Sequence, residues 1–176
     1  MEVTVFLGGN EERVEVAEDE LLHFPRGMVG FEECTRYALF DLGHPLYLLQ
    51  SVDDPEVGFV LVDPLQLEPS YRADLTREER LLLKLGRGDR PELLCVVTLS
   101  PEGVPAGVNL RAPVAINPAG RRGLQLIPQE SRFGVRHPLA VSPDGSIALV
   151  GLGGGCGGDA IADGLGSLAD LEAARC

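Results

Sequence analysis

Residues 108–127 read VNLRAPVAINPAGRRGLQLI, and this stretch decides the fold class. Apolar side chains alternate with others over residues 110–116, which is the period of a β-strand with one apolar face. Proline and glycine interrupt the pattern over residues 118–123, and apolar residues resume at Leu124. The stretch therefore predicts a β-hairpin.

The proline within this hairpin, Pro113, has no backbone N–H and cannot donate to a neighbouring strand. It is therefore predicted on an edge strand or at a bulge, and an edge is a place where a partner chain can add a strand. We expect Asn109 and Asn117 mainly to bond backbone groups at the hairpin ends. The alternative interpretation is a plain scaffold hairpin, because a fold element does not by itself imply a function.

Turn signals recur along most of residues 1–128 at roughly the 8–12-residue spacing that is typical of sandwiches and small barrels. One capping box, formed by Thr76 and Glu79, precedes a short run of leucines and predicts the one clear helix of this region. The predicted fold is mainly β: a small antiparallel β-barrel-like single domain over residues 1–140, with one short helix.

The remaining residues, 141–176, are predicted to form a flexible Gly-rich tail with at most a short, weak helix. Glycine dominates residues 151–158, as in a flexible linker, and apolar residues at helical spacing follow. Gly153, Gly155 and Gly158 formally match the dinucleotide-binding pattern G-x-G-x-x-G. No second strand follows them in the sequence, so the nucleotide interpretation is not favoured.

The composition indicates a single domain of ordinary size that folds without covalent staples, because the 176 residues are 44% hydrophobic. No apolar run approaches the roughly 20 residues of a membrane-spanning helix, and the first residues do not resemble a signal peptide. The cytoplasm is therefore the expected location. The cysteines are expected to be free thiols there, since none has the spacing of a zinc site.

Negative charge is concentrated in the first part of the chain. Residues 1–70 hold 15 Asp/Glu and 3 Arg, whereas residues 71–176 hold 12 acidic and 12 basic residues, so the whole net charge of −12 belongs to the first part. Nucleic acid and anionic membranes are poor partners for such a surface, and a basic protein is a better one. The alternative is that the charge only keeps the protein soluble.

Candidate catalytic or metal-binding residues are few. Asp53, Asp54, Glu56 and Asp63 could form a metal or acid–base cluster, but all four stand at turns, where carboxylates commonly bond local backbone. His23 lies in an apolar run, which is typical of a core histidine. No nucleophile, base and orienting group stand at suggestive positions, so no enzyme activity, cofactor or metal is predicted. A small all-β metal-dependent enzyme and a purely structural interaction domain remain as alternatives.

Several blocks along the chain, in their order and spacing, resemble the FliW family of flagellar assembly factors over roughly residues 1–140. The blocks are FPRGMVGFE at residues 24–32, LLQS at residues 48–51, Phe59, Asp63-Pro64, Tyr71, NLRAPVAIN at residues 109–117, and Gln125. The resemblance implies a small barrel without catalysis that binds flagellin and also CsrA, an RNA-binding translational regulator. It further implies that export of flagellin frees the protein to capture CsrA, which relieves repression of flagellin translation. The segment after about residue 140 departs from the compact family pattern.

The acidic first 70 residues agree with a basic RNA-binding partner, because complementary charge speeds encounter and disfavours wrong partners. We expect partner contacts at a carboxylate loop, at a glycine-containing loop and along the hairpin. The candidate residues are Asp53, Asp54 and Glu56 in the first, Gly27, Phe31 and Glu32 in the second, and Asn109, Arg111, Pro113 and Asn117 in the third. No direct contact with nucleic acid or a membrane is expected.

Overall fold

The structure, a computed structural model, describes residues 1–7 and 10–150. The turn expected at Gly8 and Gly9, the glycine run 151–158 with its expected flexibility, and the weak helix expected after it all lie outside the described residues. The described residues form these strands and one α-helix: β1 (Glu2–Leu7), β2 (Asn10–Glu15), β3 (Leu22–His23), β4 (Arg36–Asp41), β5 (Leu46–Ser51), β6 (Gly58–Val62), α1 (Arg77–Leu82), β7 (Glu92–Leu99), β8 (Pro105–Val108), β9 (Val114–Asn117), β10 (Arg122–Gln125), β11 (His137–Val141) and β12 (Ile147–Leu149).

Seven of these strands close into a barrel in the order β7-β6-β5-β4-β3-β10-β9, and β9 returns to pair with β7. Neighbouring strands are antiparallel except β3 and β10, which run parallel where His23 meets Arg122. β8, β11 and β12 extend the sheet from the last residues of β7. The prediction of a mainly β, barrel-like protein with one short helix is confirmed.

Both faces of the barrel wall are buried, which explains why β4 and β5 read as nearly continuous apolar runs rather than as strict alternations. Alternate residues of these strands point into the barrel, where they meet Phe24 and Ile116. The other residues point outward, where the β1–β2 hairpin covers them with Val3 and Val5. The outer face of β9 and β10 is covered by Leu83, which follows α1.

The hairpin at residues 108–127 differs in one respect from its prediction. Its first strand, β9, begins at Val114 and pairs on both edges, with Glu92–Leu94 of β7 and with β10. The prediction that Pro113 marks an open edge is therefore wrong. Pro113 is buried just before β9, and its carbonyl accepts a hydrogen bond from Leu126 N at 2.8 Å. A proline is tolerated there because the position precedes the first ladder pair.

The helix α1 begins as the sequence predicts. Thr76 Oγ1 accepts from Glu79 N at 3.2 Å, and the Glu79 carboxylate accepts from Thr76 N at 2.7 Å, so the capping box is confirmed. The helix ends earlier than Gly86, because Lys84 adopts the left-handed conformation at φ 54°. None of the described helices has the length and apolar character needed to cross a membrane.

The last two strands cross the boundary predicted between the domain and the tail, because β11 begins before residue 141 and β12 lies beyond it. His137 pairs with Val108, Pro138 pairs with Gly107, and β12 folds back onto β11. Leu139 is 8% exposed and joins an apolar cluster with residues of β7 and β8. The sheet therefore continues to residue 149, past the predicted boundary at residue 140. β12 has only three residues, so its alternation is too short to distinguish a strand from a loop in the sequence.

Gly123 in β10 is the described glycine that leaves least space for a side chain. A Cβ atom at this position would lie 2.2 Å from two ring carbons of Phe24, whose side chain is fully buried. Gly107 in β8 offers a contrast, because the nearest atom to a Cβ there is the His137 carbonyl oxygen at 3.5 Å.

We expect Gly123→Ala to lower the free energy of unfolding by about 3 kcal/mol, because the added methyl group displaces a buried ring from its packed position. Equilibrium urea denaturation of both variants measures this effect. Gly107→Ala is the matched control and is expected to change stability by less than about 0.5 kcal/mol. Equal effects of the two substitutions would show that Phe24 does not pack over β10 as described.

Candidate functional site

The carboxylates of the loop between β5 and β6 differ in their hydrogen bonds. Asp53 bonds within the protein, because its Oδ2 accepts from the backbone N–H groups of Thr35 at 2.7 Å and Arg36 at 2.9 Å. Its Oδ1 lies 2.7 Å from Nη2 of Arg36 in an ion pair, and the Asp53 side chain is 22% exposed. Asp53 therefore fixes the loop to the start of β4, a role that charge alone does not suggest.

The hydrogen bonds of Asp53 also set its ionisation. Burial raises the pKa of the Asp53 carboxyl, but the hydrogen bonds from Thr35 and Arg36 together outweigh burial and hold the pKa below its ordinary value. The carboxylate form is therefore the form that the folded protein prefers.

Asp54 and Glu56, the other two carboxylates of the loop, make fewer hydrogen bonds than Asp53. Asp54 accepts from Glu56 N at 3.0 Å through Oδ1, and the Ser51 hydroxyl accepts from the backbone N–H groups of Asp53 and Asp54. The Glu56 carboxylate is exposed and bonds no donor among the described residues. Of the three candidates in this loop, Glu56 is the one whose charge is available to a partner.

The glycine-containing loop between β3 and β4 is shaped by a tight turn. Gly27 has φ 62°, and a Cβ there would lie 2.5 Å from the Phe31 carbonyl oxygen, so the turn requires glycine. Glu32 accepts from Gly30 N at 2.9 Å, and this backbone hydrogen bond lowers the pKa of the Glu32 carboxyl. Val29 N donates to Gln125 Oε1 at 3.0 Å, which attaches the loop to β10.

This loop presents apolar side chains to solvent. Val29 is 56% exposed and Phe31 is 42% exposed. Phe31 packs edge-to-face on Phe59 with ring centroids 5.4 Å apart, and Phe59 in turn contacts the buried Tyr37. Burial raises the pKa of the Tyr37 hydroxyl well above its ordinary value. Val29 and Phe31 thus add apolar surface to a loop that Gln125 and Phe59 hold in place.

The four hairpin candidates do not form one surface. Asn109 Oδ1 accepts from Arg111 N and Ala112 N, both at 3.1 Å. Asn117 is 8% exposed, and its Nδ2 donates to the carbonyls of Leu83 at 2.8 Å and Lys84 at 3.2 Å. The expectation that both asparagines bond backbone is confirmed, and Arg111 is the exposed residue of the set. Asn117 and Pro113 hold the hairpin in place and lie out of reach of a partner.

Negative charge is displayed on the β1–β2 hairpin. Glu2 and Glu15 are cross-strand neighbours, Glu11 faces Phe6, and all three glutamates are exposed. Arg13 lies among them and makes an exposed ion pair with Glu2 at 3.7 Å. A 3₁₀ turn of three further acidic residues, Glu18–Glu20, follows this hairpin. Seven of the 15 acidic residues in residues 1–70 therefore lie on this hairpin and the turn that follows it.

His23 is exposed, so the prediction of a core histidine is wrong. β3 has only two residues, and its buried side chain is Leu22 while His23 faces outward. His23 lies between Arg36 on one neighbouring strand and Arg122 on the other. Partial burial and the charge of Arg122 lower the pKa of His23. These residues form a small basic area in an otherwise acidic part of the chain.

Side chains that could hold a metal ion together are not found among the described residues. No group of three or more His, Cys, Asp or Glu side chains within residues 1–7 and 10–150 is placed to hold a metal ion. Cys34 and Cys95 are buried free thiols, and burial raises the pKa of Cys95 to about 12. Cys95 Sγ lies 3.7 Å from the Tyr71 hydroxyl, which donates to the Leu110 carbonyl at 2.7 Å. These groups belong to the core.

One surface feature has no counterpart in the sequence analysis. β6 and β7 separate after two pairs of residues and leave a groove between them, which we call the β6–β7 groove. Its lining includes Phe6, Phe59, Leu99 and Glu56. The feature depends on where two strands stop pairing, and no local sequence pattern reports such a point. Only the exposed carboxylate of Glu56 links it to a predicted site.

Comparison with known proteins gives consistent similarities. A sequence model of the FliW protein family matches residues 9–139. The flagellar assembly factor FliW of Natranaerobius thermophilus is 34% identical over 129 residues, which are 72% of this chain and 85% of that protein. The flagellar assembly factor FliW of Geotalea uraniireducens is 36% identical over 129 residues, 72% of this chain and 78% of that protein. A crystal structure of the flagellar assembly factor FliW aligns with TM-score 0.68 and 28% identity, covering 77% of this chain and 95% of that chain.

The hydrogen bonds of Asp53 lead to a pH-dependent prediction. Asp53→Ala is expected to lower the free energy of unfolding by about 2 kcal/mol at pH 7, because it removes charge-assisted hydrogen bonds to Thr35 and Arg36. The folded-state pKa of Asp53 is depressed below 3.8, so its stabilisation is present above that pH and is lost as pH falls through the folded-state pKa.

Urea denaturation at a series of pH values tests this. The difference between the original chain and Asp53→Ala should narrow as pH falls below about 4. Glu33→Ala, at an exposed carboxylate of the neighbouring loop, serves as the control and should show little difference at any pH. A constant difference for Asp53→Ala over the whole range would mean that its carboxylate does not contribute as described.

Proposed function

This chain belongs to the FliW family of flagellar assembly factors, and we propose that it performs its role in flagellar assembly without catalysis, by binding other proteins. The proposed partners are flagellin and the translational regulator CsrA. In this proposal flagellin occupies the protein while it awaits export in the cytoplasm. Once flagellin leaves, the freed protein captures CsrA and relieves repression of flagellin translation.

The observation that carries this proposal is the concentration of negative charge on the β1–β2 hairpin and the following turn. RNA-binding proteins carry basic surfaces, because they must neutralise phosphates. Exposed carboxylates at Glu2, Glu11 and Glu15 attract such a surface over several ångströms and orient it during encounter. The partner that this chemistry favours is therefore a basic protein and not a nucleic acid.

Flagellin requires a different surface. An open Pro113 edge is no longer a candidate, because β9 is paired on both sides. The apolar loop residues Val29 and Phe31 are the better candidates, since they are exposed, lie two positions apart and are held by contacts with Gln125 and Phe59. Hydrogen exchange with and without flagellin locates the contact, and protection confined to other segments would exclude this loop.

A second function, a metal-dependent enzyme of the small all-β kind, finds no candidate metal site in the described residues. Metal analysis of the purified protein tests it directly. Stoichiometric metal together with loss of partner binding on chelation would favour that alternative over the proposal.

Reversal of charge on the acidic hairpin tests the CsrA proposal. Glu11→Lys combined with Glu15→Lys is expected to slow association with CsrA by about tenfold at low salt and to weaken its salt dependence, because long-range attraction is lost. Stopped-flow association at several salt concentrations is the measurement. Both residues are exposed, so folding should be retained.

The matched control carries the same charge change in the balanced part of the chain, at Glu102→Lys and Glu130→Lys, which are also exposed. Its association rate should exceed that of the hairpin variant several-fold. If both double variants slow association equally, net charge and not the hairpin surface governs the encounter. If neither variant changes the rate, the acidic hairpin plays no part in CsrA binding.

A further inference from the structure

The gap between β6 and β7 begins where their ladder stops, although each strand stays paired with another strand on its opposite edge. The two strands share the register pairs Leu61–Val96 and Val62–Cys95. Toward its start β6 stays paired with β5, down to Gly58, whereas β7 pairs with β8 from Val97 onward. Within residues 1–7 and 10–150, no register pair joins Gly58–Val60 to Val97–Leu99. Two strand edges therefore face each other across a gap that neither fills.

The β6–β7 groove has a volume of about 270 Å³ and an apolar lining. Phe6 lines it from the β1–β2 hairpin and is 45% exposed, while Phe59 and Leu99 line it from the two separated strands. Gly58 contributes no side chain, so the backbone of β6 is accessible there. Aromatic and aliphatic walls beside accessible strand backbone are the features that bind extended peptides.

A buried amide points into the same groove. Gln50 is 1% exposed, and its Nε2 donates to the carbonyls of Pro55 and Val57, both at 3.0 Å. These bonds fix the orientation of the amide and direct its Oε1 toward Gly58, where a Cβ atom would lie 2.9 Å from it. No donor in the described part of the chain bonds this oxygen. The lining of the groove therefore includes a carbonyl oxygen of fixed orientation beside Gly58.

The charge around the groove selects the kind of segment. Glu56 is the one charged residue among the lining residues, and Glu11 stands across from Phe6 on the hairpin. Residues 151–176 of this chain carry four carboxylates and one arginine, so the negative charges of Glu56 and Glu11 disfavour their binding in the groove. A segment with basic side chains is attracted instead.

We propose that the β6–β7 groove binds an extended segment of a partner protein in which apolar residues alternate with lysine or arginine. The segment adds a strand along Gly58–Val60 and donates one backbone N–H to Gln50 Oε1. Its apolar side chains pack between Phe6 and Leu99, and a basic side chain lies beside Glu56. This inference rests on the proposed protein-binding function and names the surface that performs it.

The probe is a nine-residue capped peptide of alternating valine and lysine, titrated into the full chain labelled with ¹⁵N. The peptide is expected to shift and protect the amides of residues 58–60 and 97–99. Phe6→Ser and Glu56→Lys are each expected to weaken its affinity about tenfold, because one removes an apolar wall and the other reverses the attracting charge. Melting curves verify that both exposed substitutions leave the fold intact.

Two controls distinguish binding in the groove from nonspecific binding of the peptide. Leu81→Ser removes an apolar side chain that is 70% exposed on α1 and should leave the affinity unchanged. A peptide with glutamate in place of lysine should bind at least tenfold more weakly than the basic peptide. Equal affinity of Phe6→Ser, Glu56→Lys and the original chain, or protection confined to other strands, overturns the inference.

Further measurements distinguish this inference from the proposed function. If intact flagellin and CsrA bind the original chain but the groove variants bind them and the peptide equally well, the groove inference fails and the proposed function stands. If neither protein binds the original chain, the proposed function fails. Deletion of residues 151–176 provides the last comparison. If the amides of residues 58–60 exchange faster after the deletion, the chain's own tail fills the groove. That result would overturn the proposal that a partner segment is the occupant.

Discussion

The structure depends on the way in which β7 divides its pairing among three neighbours. Glu92–Leu94 pair with β9 and close the barrel, Cys95 and Val96 pair with β6, and Val97–Leu99 pair with β8. A register shift between Thr98 and Leu99 accompanies the last of these pairings, as expected where a strand bends away from its sheet. The same strand therefore completes the wall and leaves the β7-facing edge of β6 unpaired over Gly58–Val60, while the other edge pairs with β5.

The candidate interaction features lie on the outside of the barrel. The barrel interior is filled by side chains such as Phe24, Tyr37 and Ile116. The outer faces are covered by the β1–β2 hairpin, by α1 and by the β11–β12 extension. The described residues present three features that suit interaction with a protein: the acidic hairpin, the apolar loop of Val29 and Phe31, and the β6–β7 groove. All three are supported by buried side chains, so a partner meets surfaces that are already formed.

Local signals in the sequence predicted local structure well. The capping box at Thr76 and the turn at Gly27 need only neighbouring residues, and the backbone roles of Asn109 and Asn117 follow from their positions at the hairpin ends. The family resemblance added the barrel, which composition and turn spacing favoured but could not distinguish from a sandwich.

The features that the sequence could not predict depend on distant partners. Pro113 resembles an edge residue in the sequence, because the local pattern does not show that Glu92–Leu94 pair with β9. Asp53 looks like a free surface charge until Thr35 and Arg36 supply its donors. His23 faces outward, and β3 has too few residues for this direction to be predicted from alternation in the sequence. Only part of the candidate site could be predicted, because the groove also depends on residues that are distant in sequence. The charge of Glu56 could be read from the sequence, whereas the groove beside it could not.

The central claim is that the outside of this barrel binds two polypeptides in turn. The most direct measurement is titration of purified flagellin into a preformed complex of the full chain with fluorescently labelled CsrA, followed by fluorescence anisotropy. Release of CsrA in proportion to added flagellin is the predicted result. Retention of CsrA at saturating flagellin, or failure of the chain to bind either protein, would contradict the account.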